Sequence, residues 1–213
     1  MSRFNKLVLL PVLALLASCS QQTFRSQAEL YQWINEPENG LVQERYINQT
    51  HLKVNYLPAD IQVMRELEAH PQSSIDSLQA LYNNAYSFVL SIGPDNRNGK
   101  SGSDIMQRGN RSYEDYRDRF MTMNFNIGEH LSLRAGDLVL KPTLALTENV
   151  YGLQQDCKIN LVFAPADEAQ QRVLQAHDLE LVFDDRVFDT GWSRFVITQQ
   201  HLNSIPAVQY AQR

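Results

Sequence analysis

The chain has 213 residues, a formal net charge of −5 and 43% hydrophobic residues. That length supports one domain with a sizeable core, or two small ones. The acidity excludes a nucleic-acid role, which needs a net basic face. In chain order, the first feature is an apolar run, Leu7 to Leu16, preceded by Arg3 and Lys6 and broken by Pro11. It is about half of the ~20 residues that a finished transmembrane helix needs. A polar tether follows over 20–25. Ser26-Gln27-Ala28-Glu29 is a capping-box pattern, and Leu30, Trp33 and Ile34 continue it at helical spacing until Pro37 and Gly40. Leu41 to Ile47 and His51 to Leu57 form a predicted hairpin around a turn at Asn48-Gln49-Thr50, with Leu52, Val54 and Tyr56 facing a core. Pro58 opens a helix carrying Ile61, Met64 and Leu67. A second helix from Ser73 is expected to bury Ile75, Leu78, Leu81 and Tyr82.

From residue 85 the pattern changes to period two, starting with Tyr86, Phe88, Leu90 and Ile92. A polar stretch of nineteen residues, 93–111, comes next. Ser112 caps a short helix with Tyr113, Tyr116 and Phe120. Met121, Met123, Phe125 and Ile127 alternate again and predict a strand. Further strands are expected at 131–133, 138–140, 144–146, 157–164, 179–183 and 195–198, with a helix over 165–176. Short strands at regular intervals with turn signals predict an α+β fold. It is an antiparallel β-sandwich-like domain with a helical segment near its N-terminal end. The expected single domain spans 26–205, with a loose tail over 206–213. A split near residue 84 is the alternative. Trp33, Tyr56, Phe88 and Phe125 are assigned to the core.

The apolar run ends in Leu16-Ala17-Ser18-Cys19. This resembles the lipobox of bacterial lipoproteins, L-[AS]-[GAS]-C, at every position. The resemblance implies a signal peptide over 1–18, a diacylglyceryl group on the Cys19 sulfur, cleavage before Cys19 and acylation of the new amine, typically with palmitate. Each buried CH₂ contributes ~0.8 kcal/mol, so two or more chains hold a protein firmly on a bilayer. Arg3 and Lys6 leave with the signal, so residues 19–213 carry −7. Ser20 stands where an Asp retains such proteins on the inner membrane of Gram-negative bacteria, so the outer membrane is expected. No acidic run follows Cys19, which favours the periplasmic face. With Cys19 lipidated, Cys157 has no disulfide partner.

Some motifs invite chemical readings. Asp189-Thr190-Gly191 resembles the D-T-G signature of aspartic proteases, where paired carboxylates share a proton. Trp192 crowds the position after the Gly, 22 residues follow Gly191, and the motif occurs once. A β-turn is the expectation, and an envelope hydrolase acting on peptide or glycan through Asp189 and an unidentified second carboxylate is the alternative. Gly93 to Ser101 ends in G-K-S like a P-loop, but five residues, not four, separate Gly93 from the Gly-Lys pair. The five histidines show no ligand spacing and no C-x-x-C occurs. No metal, cofactor or nucleotide is expected, and Cys157 reads as a buried thiol.

The remaining candidate is a partner-binding segment over 93–120. It holds six cations and five acids on an acidic protein. Arg97, Lys100, Arg108, Arg111, Tyr113 and Tyr116 are its candidate contacts, because Tyr and Arg anchor interfaces. The polar stretch reads as a solvated loop whose removal the fold tolerates. The sequence thus predicts an outer-membrane lipoprotein that binds or scaffolds without catalysis. Its expected partners are the bilayer, through Cys19, and an outer-membrane or periplasmic protein.

Overall fold

The computed structural model describes residues 23–97, 102–148 and 155–210. Cys19 and Lys100 lie outside the described residues. The described chain opens with β1 (Thr23–Phe24) and α1 (Gln27–Asn35). Ser26 caps α1: its hydroxyl accepts the Glu29 N–H at 3.2 Å, while the Glu29 carboxylate accepts the Arg25 N–H at 3.0 Å. Leu30 and Ile34, one turn apart, are fully buried. β2 (Val42–Ile47), β3 (Thr50–Leu57), the helix pair α2 (Ala59–Ala69) and α3 (Ile75–Tyr82), and β4 (Tyr86–Pro94) follow. Next come α4 (Tyr113–Met121), β5 (Leu131–Ala135), β6 (Leu138–Leu140), β7 (Leu144–Thr147) and β8 (Cys157–Phe163). The chain closes with α5 (Glu168–Ala176), β9 (Leu179–Asp185), β10 (Gly191–Ile197), α6 (Gln199–Asn203) and β11 (Ala207–Val208).

The fold is α+β and sandwich-like. One antiparallel sheet has the order β2-β3-β4-β8-β7, the other β10-β9-β5-β6. Period-two patterning explains the layer between them. Leu52, Val54 and Tyr56 of β3 lie opposite Ile92, Leu90 and Phe88 of β4, on one face. Leu133 of β5, Leu181 of β9 and Phe195 of β10 belong to the same continuous core. Phe88 is its hub, edge-on to Tyr56 at 5.3 Å and to Phe163 at 5.9 Å between ring centroids. At the edge shared by β2 and β10, the Arg45 guanidinium donates to the Arg194 carbonyl at 2.7 Å and lies over the Phe195 ring at 5.5 Å. A charged side chain thus covers a strand edge, a common guard against edge-to-edge pairing.

The two ends of the sandwich are built differently. At one end, β1 pairs in parallel with β11. There the Tyr210 hydroxyl donates to Asp60 at the start of α2, and Asn55 Nδ2 donates to Asn35 Oδ1 at 2.7 Å. At the other end the β2–β3 turn, the segment after β4 and the β9–β10 connection meet. The length of β3 separates these two poles by roughly 24 Å, at ~3.4 Å per residue.

Several local expectations are corrected. Residues 206–213 are not a loose tail throughout, since Ala207 and Val208 pair with Thr23 and Phe24. That pairing also shortens the tether, because Phe24 is buried. Met121 to Ile127 is not a strand. It continues α4 through a π-turn (Thr122–Asn126) and a 3₁₀ turn (Ile127–His130). Asn124 Nδ2 and Thr122 Oγ1 donate to the Phe120 and Asp118 carbonyls at 2.9 and 3.0 Å, satisfying backbone groups that the widened turn frees. Phe125 consequently stands 70% exposed instead of joining the core. α3 buries none of its residues, because it packs mainly on α2; Leu81 is 64% exposed.

Candidate interaction site

The loop pole is built from the β2–β3 turn outward. Asn48 and Gln49 have φ of 48° and 63°. Two successive positive-φ residues make the two-residue hairpin turn whose twist matches the strands. Glutamine is a poor occupant of that region, so the surroundings must hold it. They do so from three directions. The Asp95 N–H and Arg108 Nη1 both donate to the Gln49 carbonyl, at 2.9 and 2.6 Å, and Asn48 Nδ2 donates to the Asp189 carbonyl at 2.8 Å. Arg108 Nη2 also donates to Thr50 Oγ1, on a fully buried residue.

The segment after β4 is therefore packed structure over much of its length. Ile105 is fully buried. Arg119, on α4, donates Nη1 to the carbonyls of Ile105, Met106 and Arg108 at 3.1, 3.2 and 2.7 Å. Burial lowers the pKa of both the Arg108 and the Arg119 guanidinium from the ordinary value, and Arg108 adds to the effect on Arg119. α4 starts with a full capping box. Ser112 Oγ accepts the Asp115 N–H, and the Asp115 carboxylate accepts the N–H groups of Arg111 and Ser112 at 2.8 and 3.2 Å. These bonds, the one from Arg111 foremost, pull the Asp115 carboxyl below its ordinary range.

The D-T-G segment forms the third wall. Asp185 is 4% exposed and organises it. Its Oδ1 accepts the N–H groups of Val187 and Phe188 at 2.8 and 3.0 Å. Its Oδ2 accepts the Thr190 N–H at 2.8 Å and the Thr190 hydroxyl at 2.6 Å. Asp189 and Gly191 adopt φ of 62° and 66°, and the Asp189 side chain is exposed. Thr190 and Gly191 thus serve a strand connection. The strand starts at Gly191, four residues before the sequence expectation. Of the P-loop-like run, Gly93 is a strand residue on which a Cβ would overlap the Asp156 carboxylate.

A distinct set of side chains stays on the surface of this pole. The Arg97 guanidinium donates to Asp95 through Nε and Nη2 at 2.9 and 2.7 Å and lies 3.6 Å over the Tyr46 ring. Tyr46 stacks on His51 at 4.5 Å with 7° between planes. Tyr113 is 80% exposed and Trp192, at the loop-pole start of β10, is 57% exposed. Tyr116 is half-buried and sits 6.3 Å from Phe120, while Arg111 is exposed. Of the sequence-derived contacts, Arg97 lies on this pole, Arg111, Tyr113 and Tyr116 lie at or on α4, which Arg119 ties to the segment after β4, and Arg108 is turned inward. Tyr46, His51 and Trp192 escaped the sequence reading. Aromatic rings and a guanidinium plane suit a partner's apolar and planar groups. Arg97, Arg117 and Arg186 each pair with an acid of the same chain, which offsets their charge.

Cys157 is buried on β8, and burial, then Asp104, Asp156 and Glu148, push its thiol up to about 12. That value keeps it a thiol rather than a nucleophilic thiolate at neutral pH. Among the described residues no group of His, Cys, Asp and Glu could hold a metal ion, and no helix is long and apolar enough to cross a membrane.

No family model matches the chain, and no curated protein matches it. Among solved structures, it is similar to a novel protein of unknown function from Burkholderia pseudomallei. Sequence identity is 14%, 84% of this chain and 86% of that one are covered, and the TM-score is 0.37.

Proposed function

We propose that the chain is a non-enzymatic binding module of the cell envelope, anchored by acyl chains on Cys19 to the periplasmic face of the outer membrane. One observation supports this reading above the others. The strand next to the proposed anchor, β1, and the aromatic and arginine surface of the loop pole lie at opposite ends of the sandwich. A body held by its first residues would carry that surface away from the lipid, toward an envelope protein. No observation favours the hydrolase alternative. The neighbouring acid of Asp189 is Asp185, and both its oxygens accept bonds from its own loop.

The test is recovery of partners from membranes with full-length lipidated protein. The double variant Tyr113→Ala, Trp192→Ala removes exposed rings and leaves the folded body intact. It is expected to lose at least tenfold of a co-purifying partner, a factor equal to about 1.4 kcal/mol. Because Arg97, Arg117 and Arg186 are already paired with acids of the same chain, retention of the partner by the unaltered chain should change little up to about 0.5 M salt. Full retention by the double variant removes the loop pole as the contact.

A further inference from the structure

An open cleft of about 350 Å³ lies at the opposite pole, between the entry to α1, α2 and the C-terminal strap. Met64, Leu67, Pro71 and Tyr210 supply its apolar wall, and Arg25 and Glu68 stand on its polar side. Its size falls within the ~300–1,000 Å³ range of sites that take small ligands. Its walls are held from outside the cleft. The Tyr210 hydroxyl is fixed by Asp60, and Arg25 Nε donates to Gln209 Oε1 at 3.2 Å. The cleft is also next to the chain entry: Arg25 and Ser26 line it, and the strand just before them, β1, is tied to β11.

We infer that this cleft takes one acyl chain of the protein's own Cys19 lipid, an inference that rests on the anchoring proposed above. Three residues, 20–22, separate the lipid site from β1, so four Cα-to-Cα steps join Cys19 to Thr23. Extended, they reach ~14 Å, which brings a chain attached at Cys19 to the mouth of a cleft lined by Arg25. The attachment also confers a high effective concentration over lipids that must arrive by diffusion. A triacylated cysteine has chains to spare, since two suffice for stable anchoring. The third, lodged against Met64 and Leu67, would fix the mount of the body on the bilayer. The amphipathic lining suits that guest: methylenes meet Met64, Leu67 and Pro71, while ester and amide groups face the Arg25 side. The consequence is a body seated flat on the bilayer with its loop pole aimed outward.

The experiment uses cells expressing the full chain and fed a fatty acid that carries a photoactivatable diazirine. After illumination of intact membranes, the purified protein is digested and its adducts are mapped by mass spectrometry. The expected product is an intramolecular cross-link joining the Cys19 peptide to the segment 59–71. The variant Leu67→Trp, which fills the cleft from a half-buried position, should reduce it at least tenfold with unchanged circular dichroism. A phospholipid mass on 59–71 without the Cys19 peptide overturns the assignment, because the guest then comes from the bilayer. A lipidated Cys19 peptide with no adduct on 59–71 overturns it as well, and leaves the anchor intact. A Cys19 peptide that bears no lipid at all sinks the anchoring proposal and this inference together.

Discussion

At the scale of the residue, the most informative pair is Asp95 and Arg97. The carboxyl is held down to about 2, chiefly by the two hydrogen bonds from the Arg97 side chain and then by its N–H. An unfolded aspartate titrates near ~3.9. A depressed folded value means that the pair's contribution to stability is complete above that unfolded value. It fades as the pH falls through about 2. Nothing in this contact therefore changes between neutral and mildly acidic conditions. Carboxyl carbon NMR of Asp95 should show a midpoint near 2, and Arg97→Ala should move it up toward ~3.9. A midpoint that does not move in the variant would mean that the clamp is absent in solution. Arg97 itself was legible in the sequence as a candidate contact, while Tyr46 beneath it was not. A turn of three residues, 48–50, puts Tyr46 opposite Leu52; the observed turn of two puts it opposite His51. One residue of turn length decides which face a side chain occupies. No composition or motif signal marks Gln49 as the second residue of a tight turn, because its support comes from Arg108 and Asp95, distant in sequence.

At the scale of the element, the loop 185–190 shows how a motif misleads. Four donors of that loop converge on one buried carboxylate. Asp185→Ala would strand those donors in a buried site, where each unsatisfied group costs ~1–3 kcal/mol. Urea denaturation is expected to show a loss of about 3 kcal/mol, with Asp185→Asn recovering part of it through its one remaining acceptor oxygen. Asp189→Asn, exposed on the same turn, should leave stability within ~0.5 kcal/mol. Equal losses at the two positions would contradict the division of roles. The strands were legible where alternation was long and strict, as in β3, β4 and β8. The alternation of Met121, Met123, Phe125 and Ile127 deceived because it coincides with a helix that widens and then tightens, a change that no hydrophobic period encodes. The stretch 93–111 read as solvated because it is polar. Its lone aliphatic, Ile105, and the reach of Arg119 from the next helix make it an integral cover, so its removal would open the core.

At the scale of the whole molecule, strand pairing runs across residue 84. β3 precedes that point and β4 follows it, and they pair along their full lengths from Thr50–Pro94 to Leu57–Ser87. The two tryptophans report on the two ends, Trp33 beside Phe24 at 6.3 Å and Trp192 at the loop pole. Single-tryptophan variants, Trp33→Phe and Trp192→Phe, should therefore give coincident fluorescence transitions in urea. Phe88→Ala should shift both together, by ~3–5 kcal/mol. Separate midpoints would show two folding units. The parallel pairing of β1 with β11 has one more consequence. It brings the first and last described strands side by side, so the backbone traces an almost closed ring. A circular permutant that joins those ends with a short linker and opens between α2 and α3 would keep both sheets. The same closure governs fusions. A reporter appended after Tyr210 would be delivered beside the entry of the chain and would leave the opposite end unencumbered.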